Sequence, residues 1–299
     1  MKIMITGGAG FLGAWIIRSL LALGHDVRVF DRRDERTVLR QIVGPAANDL
    51  DWMIGDVANP QDVLTAASGC DATIHLAGLL TPACKADPLL GANVNLIGTL
   101  NVFEAAKRLG QKQVAYASSA GVFGPDDGTD PYPMTLYGVY KFAGEGAARV
   151  YAEDYGIASV GFRPLVVYGP GREIGSSAGP TLACQAAAEG RPFSIGFTGM
   201  TNLIYVEDVA AAFVAAATRT IDGAHVFNLR GEDASIDQVM DAIKTIAPDA
   251  QLSAAGDPLP ITHDIEAHDM QPVLGPLPFT ALKPGLKKTY DFYAERALA

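Results

Sequence analysis

From its first residues to Leu229 the chain alternates short apolar runs with longer amphipathic stretches. Lys2–Ile5 tends apolar and reads as a strand. From Phe11 to Leu23 the residues Leu12, Trp15, Ile16, Leu20 and Leu23 recur at steps of three and four, which predicts a helix ended by Gly24. Val27–Phe30 predicts a short strand that ends at Asp31. Asp51–Asp56 reads as a strand ending in an acid, and Asp71–Gly78 as one ending in small residues. Asn93–Gly110 has a helical pattern, Gln113–Ala117 is a strand leading to Ser118 and Ser119, and Tyr137–Tyr155 is a long helix. Strands that alternate with helices imply parallel βαβ units, whose ligands lie beyond the carboxyl ends of the strands. The predicted fold class is α/β, a Rossmann-like doubly wound parallel sheet with a smaller C-terminal α/β lid. Arg163–Gly171 reads as the strand leaving the sheet, while Tyr205–Thr218 and Val226–Leu229 return to it. The lid holds a helix near Ile236–Ile246 and a turn-rich stretch, Asp257–Pro278. The main domain is then 1–166 with 202–230, and the lid 167–201 with 231–299.

With 299 residues, 49% of them hydrophobic, the chain can bury one large core or two smaller ones. A formal charge of −10 argues against a nucleic-acid surface, because phosphate backbones are held by clustered Lys and Arg. Cys70, Cys84 and Cys184 form no C-x-x-C pair and fit reduced thiols better than a disulfide framework. No run of about 18 apolar residues is present to span a bilayer, and the first strand starts too early to leave room for a signal peptide. A soluble, cytoplasmic protein is expected, with neither nucleic acid nor membrane as partner.

Thr6-Gly7-Gly8-Ala9-Gly10-Phe11-Leu12-Gly13 joins the first strand to the first helix. A chain can make that passage around a diphosphate only where the turn lacks side chains against the ligand, and the helix then offers unpaired N–H groups to the phosphates. Alone, the turn scans as G-x-G-x-x-G from Gly8 or as G-x-x-G-x-x-G from Gly7. Asp31 stands 18 residues beyond Gly13, close to where a dinucleotide fold places the acid that bonds the adenosine ribose and repels a 2′-phosphate. Arg32 and Arg33 follow and suit a 2′-phosphate, so NAD is favoured and NADP stays open. Tyr137 and Lys141 are four apart and project from one helical face. An ammonium within ~4–6 Å lowers a phenol from its usual pKa of about 10, so such a pair can exchange protons with an alcohol or ketone. His75, inside an apolar strand, reads as a core residue. His263, Asp264, Glu266, His268 and Asp269 match no named zinc spacing, and no metal is assigned.

Thr6–Gly13, Asp31, Asp56, His75–Gly78, Ser119, Tyr137 and Lys141 follow the order of motifs in the extended short-chain dehydrogenase/reductases, the NAD-dependent epimerase/dehydratase group. Those motifs are T-G-x-x-G-x-x-G, the ribose acid, the adenine-side acid, an L-A-[AG] strand end, the active-site Ser/Thr and Y-x-x-x-K. Asn93–Thr99, Arg163-Pro164, Val167–Gly171 and Tyr205–Val209 resemble later signatures, so the likeness covers essentially the whole chain. It favours the register with Gly7, Gly10 and Gly13 as fixed points. The resemblance implies an enzyme with NAD extended over the strand ends. Its expected contacts are Gly7, Gly10, Phe11, Leu12 and Gly13 at the turn, Asp31 and Arg32 at the ribose, and Asp56 and Val57 at the adenine. Leu76, Ala77, Gly78, Asn95, Tyr137, Lys141 and Pro164 complete the set. Tyr137 is then the general acid or base, Lys141 lowers its pKa and bonds the nicotinamide ribose, and Ser119 bonds the reacting oxygen. Ser118 is the adjacent alternative. Ser119 is preferred because it stands four before Phe123, the aromatic of S-x-x-x-[YF]-G.

Substrate contacts are expected from Leu80, Ser119, Ala120, Val166 and Arg172. Here the chain departs from nucleotide-sugar members: Val166 stands where many carry a substrate-holding Asn, Thr201 where they carry an Arg on the diphosphate, and Tyr205 where they carry a His. A buried diphosphate needs donors and cations, and only Arg172, Lys85 and Arg191 are at hand to compensate. Ala120 and Gly121 after Ser119 disfavour the dehydratase branch, whose acid pair belongs there. The expected function is NAD-dependent hydride transfer at a hydroxyl or keto carbon of a sugar, sugar acid or other small polyol. A nucleotide-sugar 4-epimerase and a non-catalytic NAD(P) sensor are the alternatives. By analogy with the family, a homodimer forms through Asn93–Gly110 and Tyr137–Tyr155, the second rich in small residues (Gly144, Gly146, Ala147 and Ala148).

Overall fold

The computed structural model describes residues 1–297. In chain order its elements are β1 (Lys2–Thr6), α1 (Phe11–Ala22), β2 (Asp26–Asp31), α2 (Thr37–Val43), β3 (Asp51–Ile54), α3 (Pro60–Ala67), β4 (Ala72–His75), α4 (Thr81–Ala86) and α5 (Pro88–Ala92). There follow α6 (Gly98–Leu109), β5 (Gln113–Ala117), α7 (Leu136–Tyr155), β6 (Ala158–Pro164), β7 (Val166–Tyr168), α8 (Gly179–Ala188), β8 (Phe193–Ile195), β9 (Met200–Tyr205), α9 (Val206–Thr218) and β10 (Ala224–Leu229). The last are β11 (Glu232–Ser235), α10 (Ile236–Ile246), β12 (Leu252–Ala254), α11 (Gln271–Leu274) and α12 (Leu282–Ala297).

Seven strands form one sheet in the order β10-β6-β5-β4-β1-β2-β3, every pair parallel. The alternation in β1 shows why it lies at the centre: Ile3 and Ile5 enter the core on one face and Met4 the core on the other, all fully buried. The chain winds outward from β1 through β2 and β3, then crosses back to β4. The crevice where that direction reverses, between the carboxyl ends of β1 and β4, is where an open α/β sheet receives its ligand. The predicted strands and helices of this half are all present. The expected Asn93–Gly110 helix is one continuous run with a π-helical turn at Asn93–Ile97 before α6.

The remainder is organised differently. β11, β9 and β7 make a three-stranded mixed sheet, and β12 pairs with β8 in a two-stranded parallel one. These strands of three to six residues are too short to show a period. α12 packs against α8, its buried Leu286 and Tyr293 covering the fully buried Cys184 region. No helix among the described residues is long and apolar enough to cross a membrane.

Candidate active site

The turn after β1 is built for close backbone approach. Gly7 has φ +69°, and a Cβ there would lie 2.8 Å from the Ala77 nitrogen, so only glycine lets β1 and the end of β4 come together. Gly7 is the sole residue of the turn in the left-handed region, which agrees with the register read from it. No side chain caps α1, so the N–H groups of its first turn, at Phe11, Leu12 and Gly13, face the crevice end without a capping oxygen. Asp31 closes β2 and accepts from the backbone of Ala9 (3.1 Å) and Arg32 (2.7 Å), which aims its carboxylate across the same crevice. Asp56 and Val57 follow β3, Leu76–Gly78 follow β4, and Pro164 ends β6. Thr6 ties the crevice together, its hydroxyl accepting from the N–H groups of Leu76 and Ala77. These groups fit a dinucleotide: free N–H donors for a diphosphate, a carboxylate for a ribose and a cradle too tight for side chains.

Several residues around the crevice also make contacts within the chain. Asn95 is buried, its amide bonded to Leu79 through both Oδ1 (2.8 Å) and Nδ2 (3.0 Å), so it shapes the loop after β4. Val57 is also buried and packs against Gly98. His75 bridges Thr6 and Thr99, and burial pushes it down to about 3, which keeps it neutral, as a core residue should be.

Beyond β5 the chain turns at Ser119–Val122 and re-enters the fold as α7. Thr135 caps that helix, its hydroxyl accepting from Gly138 at 3.1 Å. A Cβ on Gly138 would meet the Gly121 carbonyl oxygen at 2.1 Å, so glycine allows the first turn of α7 to press on the Ser119 turn. That contact brings the Tyr137 ring and the Ser119 hydroxyl together beside Gly121. Both line a cavity of about 150 Å³. Ser118 points the other way, donating to Glu145 at 2.5 Å inside the core, so the two adjacent serines have different surroundings. Glu145 in turn receives both arms of Arg163, at 2.8 and 2.6 Å.

Lys141 is buried, and its ammonium donates to the Ala117 carbonyl at 2.7 Å while lying 5.8 Å from the Tyr137 ring centroid. Burial pulls it down to about 8. Burial raises Tyr137, while the Ser119 hydroxyl and the Arg172 charge lower it. The net direction for Tyr137 is upward, contrary to the expectation that Lys141 lowers it: burial outweighs the charges, and the cation that acts on the phenol is Arg172, which motif order alone did not place there. Val166 lines the cavity as expected, and Thr201 lines it too. Ala120 instead packs below it with Val122, Phe123 and Ile265. Leu80 and Arg172 both approach Gly175, next in the chain to the cavity-lining Ser176, and neither lines the cavity itself. The roof comes from Leu259–Ile261 and Met134, residues without any motif signal.

A sequence profile of the NAD dependent epimerase/dehydratase family matches residues 3–229. The chain belongs to that family. It is an NAD-dependent enzyme of the epimerase and dehydrogenase kind. Over 321 aligned positions it is 28% identical to a UDP-glucose 4-epimerase of Mycolicibacterium smegmatis, covering 99% of this chain and 100% of that protein. It is 32% identical over 237 positions to a 2-alkyl-3-oxoalkanoate reductase of Stenotrophomonas maltophilia, covering 75% and 67%. Among solved structures it is similar to the Thermus thermophilus UDP-glucose 4-epimerase in complex with NAD, with TM-score 0.79, 26% identity and coverage of 98% and 99%. The fold is shared with L-threonine dehydrogenase of Clostridium difficile at TM-score 0.87, 22% identity and coverage of 100% and 99%.

Proposed function

We propose that the protein is an NAD-dependent oxidoreductase that carries out net hydride transfer at a hydroxyl or keto carbon of a sugar, sugar acid or other small polyol. The observation that carries this reading is the cavity of about 150 Å³ into which Ser119 and Tyr137 project, with Val166 and Thr201 on its wall. Pockets for drug-sized ligands run to about 300–1,000 Å³, so this one suits a compact substrate better than a nucleotide-sugar. Bound over the strand ends, NAD supplies a hydride acceptor at nicotinamide C4. Ser119 holds the reacting oxygen by hydrogen bond, and Tyr137 takes the hydroxyl proton as the carbon gives up its hydride and becomes a carbonyl. In the reverse direction Tyr137 returns that proton. Lys141, anchored on Ala117, faces Gly78 at the end of β4, where the nicotinamide ribose is expected. The site assignments support a division into a cofactor domain, 1–166 with 202–230, and a substrate lid, 167–201 with 231–299.

Incubation with NAD and a panel of small sugars, sugar acids and polyols is expected to yield NADH. Tyr137→Phe is expected to cut kcat by roughly 10³–10⁴ with NAD affinity nearly intact. Turnover of UDP-glucose with inversion and no NADH would replace this reading by the epimerase one, which the full-length likeness to an epimerase favours.

We place the enzyme in the cytoplasm, in carbohydrate metabolism, as a homodimer. Its three cysteines are free thiols. Val139, Phe142 and Val150 on α7 and Ile97 before α6 are each at least 40% exposed, an apolar stripe suited to a second copy. Light scattering is expected to give twice the chain mass, falling to one in Phe142→Glu.

A further inference from the structure

Arginines removed from solvent elsewhere in the chain have carboxylate partners: Arg28 pairs with Asp51, Arg36 with Asp34, Arg163 with Glu145 and Arg230 with Asp233. Arg172 forms no ion pair among the described residues. Its Nε is shut off from solvent with no hydrogen-bond partner, and its one polar side-chain contact is a long bond from Nη2 to Ser177 at 3.4 Å. A half-buried guanidinium without a counter-charge carries a desolvation cost that an anion arriving with a ligand relieves.

The surrounding turn holds Arg172 in place. Trp15 on α1 donates to the Pro170 carbonyl (2.9 Å), Gly169 donates to Thr181 on α8 (3.0 Å), and Gly171 donates to the Tyr293 hydroxyl on α12 (3.0 Å). Three elements thus fix the backbone from which the guanidinium reaches toward Ser177, itself part of the cavity wall. The rest of that wall is rich in hydroxyls, with Thr81, Ser119, Ser176 and Thr201 beside Ser177, and it carries no ionic side chain of its own among the described residues. A planar fork at one edge of a small hydroxyl-lined cavity matches a carboxylate on a short polyol.

We propose that Arg172 grips the carboxylate of the substrate, and that the substrate is a small polyhydroxylated carboxylic acid whose reacting carbon lies against Ser119 and Tyr137. This rests on the hydride-transfer reading above and narrows it. The reaction oxidises one secondary hydroxyl of the acid to a ketone, the proton passing to Tyr137 and the hydride to NAD, and leaves the carboxylate unchanged. The other anion within reach is the diphosphate of the cofactor, because the guanidinium also lies 5.8 Å over the Phe11 ring. The Ser177 contact turns it toward the cavity instead.

The test measures NADH formation from straight-chain four- to six-carbon aldonates, the alditols of the same lengths and UDP-glucose, by the wild type, Arg172→Met and Arg172→Lys. Calorimetry follows aldonate binding to each protein in the presence of NADH, and thermal unfolding checks each fold. The wild type is expected to prefer aldonates over alditols by about 100-fold or more in kcat/KM. Arg172→Met is expected to lower that value for aldonates by a similar factor, mainly through KM, to abolish calorimetric binding and to bring the two substrate classes close to parity. Arg172→Lys is expected to recover part of the preference, and KM for NAD should stay within about threefold in both. Equal use of aldonates and alditols by the wild type, a comparison that needs no variant, overturns the grip while leaving hydride transfer standing. A rise in KM for NAD with aldonate binding unchanged assigns Arg172 to the cofactor and also overturns it. Inversion of UDP-glucose with no NADH from any compound overturns the hydride-transfer reading and the grip together.

Discussion

Arg163 and Arg172 lie on either side of the strand that leaves the main sheet, and their surroundings are opposite. Arg163 ends β6 with both arms on Glu145 and its guanidinium 5.0 Å from the Phe123 ring centroid; the pair is almost wholly buried, and Ser118 adds a third hydrogen bond. Every charge in that cluster has its complement within the chain. Arg172 has a rigid backbone and an unanswered charge. A satisfied buried ion ties two elements together, here β6 and α7, and leaves nothing over for a ligand. An unsatisfied one stores binding capacity at the expense of stability. Lys141 belongs with Arg172 in this respect, since its buried ammonium has only the Ala117 carbonyl as partner.

Turning the first arginine into the second gives the largest expected change. Glu145→Ala strips Arg163 of its counter-charge and should lower stability by about 3–5 kcal/mol, measured by denaturant unfolding. Lys141→Met should act in the opposite direction at neutral pH. The folded protein holds Lys141 at about 8 against the ordinary 10.5, so below pH 8 the ammonium is charged in both states and its burial is a constant penalty. As pH rises from about 8 to 10.5 the folded form gives up the proton first and the penalty shrinks. The Met variant should therefore be more stable than the wild type by roughly 3 kcal/mol at pH 7, an advantage that fades toward pH 10.5. Arg172→Met should gain less, roughly 1–2 kcal/mol, because the side chain keeps some contact with water. A loss of stability in that variant would place Arg172 with Arg163, as scaffolding.

The main sheet was legible because its strands are apolar runs separated by helices of clear period, and because the candidate site there is made of local features. Gly7–Gly13, Asp31, Asp56 and Leu76–Gly78 each sit at a strand end, so their order along the chain is also their arrangement around the crevice. The lid was much less legible. β8 and β12 have three residues each, and α12 has Pro284 and Gly285 in its first turn, which read as a turn and hide the helix that carries the buried Leu286 and Tyr293. The cavity roof at Leu259–Ile261 lies in a stretch that reads only as turns, and its partners at Phe123 and Met134 are more than 120 residues earlier.

The amino-acid sequence by itself determined the parallel sheet and singled out the glycine turn and the Tyr137/Lys141 pair, because these depend on spacing within single turns and helices. Only the tertiary structure decided which of two adjacent serines faces the cavity, which of two nearby arginines is already paired, and how small the cavity is. Those outcomes depend on which side chains from distant segments meet, and neither burial nor charge compensation can be read from one residue's neighbours in the chain.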